Sequence, residues 1–426
     1  MVVAKACLVA LALLLGMGGS VLAQNVIELF WDTPGAAEEQ AGYRAVADRF
    51  EALHPGVKVY TDLGLSFDDV LVRIAAGTPP DIVFSTIQNA AGLIREGLVL
   101  PLDPWIERDG FDIDDFFPAV LMPYRFDGQS FGTGQLYGIP KESAVRGTFY
   151  NARLFEEAGL VQPPELFAQG EWNWDTWLSS AQKLTRVDSS GETLQWGFVR
   201  DTRLMYQMMW VWANEGDIVD DLLNPTRFTL DEDPAVEALE FYADMAHVYR
   251  VSPPEWGEGS SAAVPFVEGR AGLLQDGPWR MSTMDANNIE YGVVQGPVGK
   301  RRANLLSGSI FAIPRNAKDP ELAWELLKFA SSQEGQRILV EVARLQPASR
   351  SLAPAFIETN PKVNMGVFLE EVDYAQPLFA MPGMDEVDAT ILPYLQRVAS
   401  GEMSVGAMLA TVKPLVENII ARYSGR

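Results

Sequence analysis

The sequence predicts an α/β fold, and three observations carry that expectation. Short apolar runs alternate with segments of helical spacing between Val26 and Phe84. Two later helices open on Asp-Pro, and the stretch from Phe266 to Pro314 strings further strand candidates together through turns.

In order, Val26 to Phe30 reads as a strand, and Tyr43, Val46, Phe50 and Leu53 recur at helical spacing until Pro55-Gly56 stops the run. Val57 to Tyr60 resumes as strand. Ser66 can cap a helix whose Phe67, Val70, Leu71 and Ile74 form one stripe ended by Gly77, and Asp81 to Phe84 begins a third strand. Strand, helix, strand, helix, strand describes an α/β sheet. Asp233-Pro234 and Asp319-Pro320 place a capping side chain before a proline suited to the first helical turn. Ala271 to Leu274, Tyr291 to Val294 and Ser309 to Ile313 are buried-strand candidates. From about Ala353 the chain reads as helical, broken by Pro361, Pro377, Pro382 and Pro393.

The first residues predict export. Lys5 precedes the apolar run Leu8 to Leu15, and Val21-Leu22-Ala23 offers small residues for cleavage, so residues 1–23 read as a signal peptide and the mature chain as starting at Gln24. Cys7, the only cysteine, lies within that signal without a lipobox, which favours free release into a periplasm over attachment to an outer cell surface. The mature chain then has neither disulfide nor thiol, and its stability rests on large cores in two or three domains. Later stretches fall short of the roughly 20 apolar residues that cross a bilayer. With 57 acidic against 33 basic residues the formal charge is −24, or −25 after Lys5 leaves, which argues against a nucleic-acid partner. The one basic cluster, Lys300-Arg301-Arg302, reads as a solvated loop.

Catalytic motifs are sparse. The two histidines, His54 in a His-Pro-Gly turn and His247 within a helix, do not support a metal cluster or a Ser-His-Asp triad. Gly299-Lys300 resembles the end of a P-loop, but Val294 stands where the first glycine belongs and Arg301 replaces the magnesium-binding hydroxyl. Gly132, Gly134 and Gly138 lack dinucleotide-fingerprint spacing. No metal or cofactor is expected. Paired carboxylates remain an unspecific signal, since acidic residues are everywhere. The 11 tryptophans say more. Trp31, Trp210, Trp212 and Trp279 fall at ends of apolar runs or beside polar residues, where an indole can meet the apolar face of a sugar or pack in a core. Trp172, Trp174, Trp177 and Trp324 sit on amphipathic helices or their entries and read as packing.

Several blocks then resemble a known family over nearly the whole mature chain. They are His54-Pro55-Gly56-Val57 leading to Gly77-Thr78-Pro79-Pro80-Asp81-Ile82-Val83; Leu136-Tyr137-Gly138-Ile139-Pro140 through Phe149-Tyr150-Asn151 and Leu154-Phe155; Trp172-Asn173-Trp174-Asp175; Phe266 through Trp279; and Ser307-Gly308-Ser309 through Ala323-Trp324. Their order and spacing are similar to those of extracellular solute-binding protein family 1, the solute-binding subunits of carbohydrate ABC importers, which includes maltose-binding and glycerol-3-phosphate-binding proteins.

The resemblance implies a periplasmic binding protein type II-like fold, two α/β lobes with a hinge and a ligand cleft between them. It implies crossings near Ser143, Asn304 and Ser351, with residues 24–142 and 304–350 in the first lobe and 143–303 and 351–426 in the second. Carried over by position, the expected ligand contacts are Trp31 and Asp32 after the first strand, then Ser85, Thr86 and Gln88 after the third. Lys141, Glu142 and Ser143 follow at the first crossing, Trp210, Trp212, Asp276 and Trp279 in the second lobe, and Ser307, Gly308, Arg344 and Gln346 on the return. Each polar residue has a structural alternative: Asp276 can cap a helix, Ser307 can hold a turn, and Arg344 can pair with Glu341. Many relatives carry an aromatic or uncharged residue where Lys141 stands, which leaves the ligand's charge open. The expectation is a monomeric, non-catalytic receptor for a sugar, oligosaccharide or polyol that serves a membrane permease. The alternatives are a receptor for glycerol-3-phosphate or glycerophosphodiesters, with Lys141 and Arg344 as charge partners, and a secreted carbohydrate-active hydrolase.

Overall fold

The computed structural model describes residues 27–35, 37–255, 257–378 and 381–424. The signal-peptide reading, with Lys5, Cys7 and the cleavage site before Gln24, lies outside them.

The first sheet grows from β1 (Ile27–Phe30), paired in parallel with β2 (Val57–Tyr60). A parallel bridge from Trp31 to Ile82 sets β3 (Val83–Thr86) on the other side of β1. Strand Ser309–Ala312 pairs antiparallel with β3, and the short strand Ile139–Pro140 completes the row. Helix α1 (Ala37–Leu53) buries Tyr43, Val46 and Phe50, the predicted stripe, while Leu53 at its end stays exposed. Helix α2 (Phe67–Ala75) opens on a reciprocal cap, in which Ser66 Oγ accepts from the Asp69 amide (3.2 Å) and the Asp69 carboxylate accepts from the Ser66 amide (2.9 Å). It closes at Gly77, whose φ of 75° suits glycine. Helix α3 (Ile87–Arg95) follows β3 directly.

The second sheet has five strands in the order Tyr291–Val294, Gly147–Asn151, Ala271–Asp276, Thr193–Val199, Arg186–Val187. Only the Ala271–Asp276 and Thr193–Val199 pair is parallel. Every residue of Ala271–Asp276 is buried, as its apolar run predicts for a central strand. Helix Trp174–Leu184 lies close enough to Thr193–Val199 that a Cβ at Gly197 would overlap the Ala181 carbonyl, so this position has room only for glycine.

The chain passes between the sheets along three segments that lie side by side. The first follows Ile139–Pro140 and precedes Gly147–Asn151. The second joins Asn304–Leu306, which pairs with Ala375–Pro377, to Ser309–Ala312. The third follows helix Gln333–Ala343. They are bonded to one another: the Lys141 amide donates to Ser309 O (3.0 Å), the Ser143 amide to Gln346 O (3.2 Å) and the Ser307 amide to Ala144 O (3.3 Å). Asp319 caps helix Pro320–Ala330 through the Leu322 amide (3.1 Å) as expected, whereas at Asp233–His247 the preceding Glu232 stands at the cap without a side-chain bond. Pro393 does not break the C-terminal region. It sits inside helix Met384–Ala399, and Pro414 sits inside Val405–Ser424. In the basic cluster Lys300 and Arg301 are exposed as a solvated loop predicts, while Arg301 Nε also donates to Trp212 O at 2.7 Å and half-buried Arg302 pairs with buried Glu371 at 2.7 Å.

Candidate ligand cleft

On the first lobe, the strand ends carry the predicted contacts to one edge. The Asp32 amide donates to Ile82 O (2.9 Å), which fixes the loop after β1. The Asp32 side chain is 3 % exposed, and burial pushes its carboxyl up to about 6 against the opposing effect of the Phe84 amide. Trp31 is not an open platform. Its ring is enclosed between Tyr43 (5.5 Å) and Phe311 (5.0 Å), and its Nε1 has no acceptor. Ser85 Oγ donates to Thr86 O (3.2 Å), Thr86 stands at the start of α3 without a side-chain cap bond, and Gln88 is half-buried in its first turn.

At the first crossing Lys141 is buried rather than presented to a ligand. Its ammonium reaches Glu39 (3.0 Å), Glu142 (3.2 Å) and the Tyr43 hydroxyl (2.9 Å). Burial alone would lower its pKa, but Glu142, Tyr43 and Glu39 outweigh that and hold it well above the ordinary lysine range. Ser143 and Gln346 hold the crossings together. Ser143 Oγ donates to Pro347 O (2.9 Å), Gln346 Oε1 accepts from the Val145 amide (3.2 Å), and Gln346 Nε2 donates to Phe368 O (2.9 Å). Gly308 O accepts from Tyr124 (3.2 Å), and Ser307 Oγ accepts from Arg146. Arg344 has φ 53° at the end of its helix and pairs across the lobes with Asp285 (3.4 Å), while Glu341 pairs with Arg337.

The second lobe supplies Asp276 at the end of its central strand. Asp276 accepts from its neighbour Gly277's amide (2.8 Å), from Tyr206 (3.2 Å) and from Arg280 (2.5 Å). Trp279, 38 % exposed, follows the Asp-Gly-Pro turn as expected. Trp210 and Trp212 are corrections. They lie on helix Leu204–Ala213, whose residues are apolar on nearly every side, and such a helix is buried all round. Trp210 donates to Gln275 and Trp212 to Asp217, both at 2.9 Å, with no ring face left open.

Between the lobes lies a cavity of about 280 Å³, walled by Glu39, Glu142, Ala144, Trp279, Arg344 and Gln346 among others. Of the predicted contacts it thus gathers Glu142, Trp279, Arg344 and Gln346. Lys141, Ser307 and Asp276 bond to groups on or beside that wall, whereas Trp31, Trp210 and Trp212 belong to cores. The sequence reading missed Arg146, Tyr206 and Glu39. The signal for Arg146 was present, a lone cation inside the apolar run Ala144 to Tyr150. It also missed a second hollow of about 350 Å³ beside Arg203 and Leu392, where Asp388 is pushed up to about 6 by burial and then by Asp385.

The model of the bacterial extracellular solute-binding protein family matches residues 34–337. The chain belongs to that family. This solute-binding protein is 23 % identical over 406 residues to the galactooligosaccharide-binding protein of Bacillus subtilis (strain 168), covering 91 % of this chain and 89 % of that one. A Brucella abortus (strain 2308) protein, named only as a binding protein, is 24 % identical over 396 residues, covering 89 % and 90 %. Among solved structures, the ABC substrate-binding protein Lmo0181 of Listeria monocytogenes, in complex with cycloalternan, superposes with a TM-score of 0.80 at 18 % identity over 93 % of this chain and 99 % of that one. The fold is therefore that of type II periplasmic binding proteins, with two α/β lobes as expected.

Proposed function

We propose that this solute-binding protein captures one sugar, short oligosaccharide or related polyol between its lobes and hands it, chemically unchanged, to the permease of an ABC importer. The observation that carries this reading is the interlobe cavity, which the exposed Trp279 lines together with Glu39 and Glu142. An indole suits the apolar face of a sugar ring, and the carboxylates accept from its hydroxyls. The relative and the solved neighbour named above, a galactooligosaccharide-binding protein and a cycloalternan complex, support the same solute class.

The bodies that close on the solute are residues 24–142 with 304–350 and residues 143–303 with 351–426, turning about the three bonded crossings. A ligand that touches both walls shifts the ensemble toward the closed form. Export through the segment 1–23, action outside the cytoplasmic membrane as a monomer, and binding without turnover complete the reading. Two of the three cavity carboxylates, Glu39 and Glu142, are held by the one Lys141 ammonium, an arrangement for accepting hydrogen bonds rather than for protonating a leaving group. Among the described residues no helix is long and apolar enough to cross a membrane, and no group of side chains is suited to a metal.

Titration calorimetry of the purified chain against neutral sugars, oligosaccharides, polyols and glycerol phosphates tests the reading. Saturable one-to-one binding of a member of this panel is expected; absence of binding across it, or release of cleaved products, contradicts it.

A further inference from the structure

Four cations near the cleft are matched by carboxylates: Lys141 by Glu39 at 3.0 Å, Arg203 by Asp201 at 2.6 Å, Arg280 by Asp276 at 2.5 Å and Arg344 by Asp285 at 3.4 Å. Arg146 is different. It is 4 % exposed, and among the described residues no carboxylate lies within ion-pair distance of it. Its guanidinium lies over the rings of both Tyr206 and Trp279, 5.0 Å from each centroid. Nη1 donates to Ala144 O (2.8 Å) and to Ser307 Oγ. Nε is enclosed without an acceptor, and Nη2 has no hydrogen bond to any described residue. The unmet donors therefore share one edge of the guanidinium, and of the two Nη2 is the one not enclosed, a charged donor suited to an oxyanion.

A buried cation whose donors are unmet is costly, and a charged ligand removes that cost. Ala144 and Trp279, two of the four groups that touch the guanidinium, also wall the cavity, which places Arg146 directly behind that wall. Glu39 and Glu142, on the same cavity, are already bonded to Lys141, and Glu38 at the rim is exposed, where solvent screens it.

We propose that the solute carries an oxyanion, the carboxylate of a sugar acid or a phosphate ester, which docks on the Nη2 end of the Arg146 guanidinium beside the Trp279 ring. This rests on the interlobe cavity being the solute site, and it moves the charge partner from Lys141 and Arg344, which are paired elsewhere, to Arg146.

The test titrates the purified chain with matched probes: glucose, galactose and mannose, the uronic acid of each, glycerol, and glycerol 3-phosphate. At least one acid should bind about tenfold or more tighter than its neutral parent. A uronate preference identifies a carboxylate and a glycerol-phosphate preference a phosphate ester. Arg146→Met should abolish that preference while its circular dichroism and thermal melt show a folded chain. Equal or tighter binding of the neutral parents overturns the oxyanion but leaves the sugar-binding reading standing. Retention of the preference in folded Arg146→Met places the anion elsewhere and also overturns it. Should the variant not fold, the comparison of acids with parents on the unaltered chain decides alone. Binding of none of the probes removes this proposal, and the underlying reading falls only if the wider panel of oligosaccharides and polyols fails too.

Discussion

Asp32→Asn should stabilise the protein above neutral pH and leave it little changed in acid. The carboxyl stands at the end of β1, 3 % exposed, and burial carries it from its ordinary 3.8 to about 6. Because the folded-state value lies above the unfolded one, the native state holds this proton more tightly. Stability is greatest below about 4, falls as pH rises toward about 6, and stays lowered beyond it, the reverse of a salt-bridged aspartate. A rise of about 2 pH units at about 1.4 kcal/mol each gives roughly 3 kcal/mol, and partial relaxation of the loop brings the expected gain to about 2–3 kcal/mol at pH 8. Asparagine keeps an oxygen for the Phe84 amide and removes only the charge. Urea unfolding of both proteins from about pH 4 to about pH 8 reads the difference, and Asp388, which titrates in the same range, cancels because both contain it. Parallel stability curves across that range, or a variant less stable at pH 8, would refute the reasoning.

Three further outcomes follow from the cleft. Trp279→Ala should weaken solute binding by about 2 kcal/mol, roughly thirtyfold, with little change in melting temperature, because the ring is already 38 % exposed; calorimetry and a thermal melt separate the two effects. Lys141→Met leaves Glu39 and Glu142 without their shared cation and should cost about 3 kcal/mol, the low end for a broken buried pair because those side chains keep 23 % and 12 % exposure. The unaltered chain should hold this contribution through the ordinary lysine range and lose it only as pH climbs beyond, which base titration of its stability checks. Arg344→Ala opens an exposed interlobe pair at 3.4 Å and should cost under about 1 kcal/mol, seen in stopped-flow as solute release up to about fivefold faster and less dependent on salt.

The fold was legible where local chemistry and tertiary packing agree. Ser66 before an apolar stripe, Asp319-Pro320, and the apolar strand around Leu273 each announce an element that the structure contains. Proline inside a C-terminal helix was not, because Pro393 is tolerated where neighbouring packing holds the helix together, and a propensity argument has no access to that packing. The cleft was legible only in part. Trp279 could be placed from the Asp-Gly-Pro turn and Glu142 only through the family resemblance, but Trp31, Trp210 and Trp212 occur in similar local settings and are enclosed by residues distant in sequence, such as Phe311 and Gln275. The pairing of charges was beyond reach altogether. Lys141 and Arg344 look available in the sequence and Arg146 is marked only as a lone cation in an apolar run, yet the former find carboxylates from other elements and the latter finds none among the described residues.

Native mass spectrometry of the purified chain, incubated with the sugar, oligosaccharide and polyol panel, tests the gripping of an intact solute most directly. The account predicts one adduct per chain at the full mass of the added solute, persisting over hours and greatly diminished in Trp279→Ala. A chain that carries no adduct from the panel, or one whose solute is recovered as fragments, would contradict it.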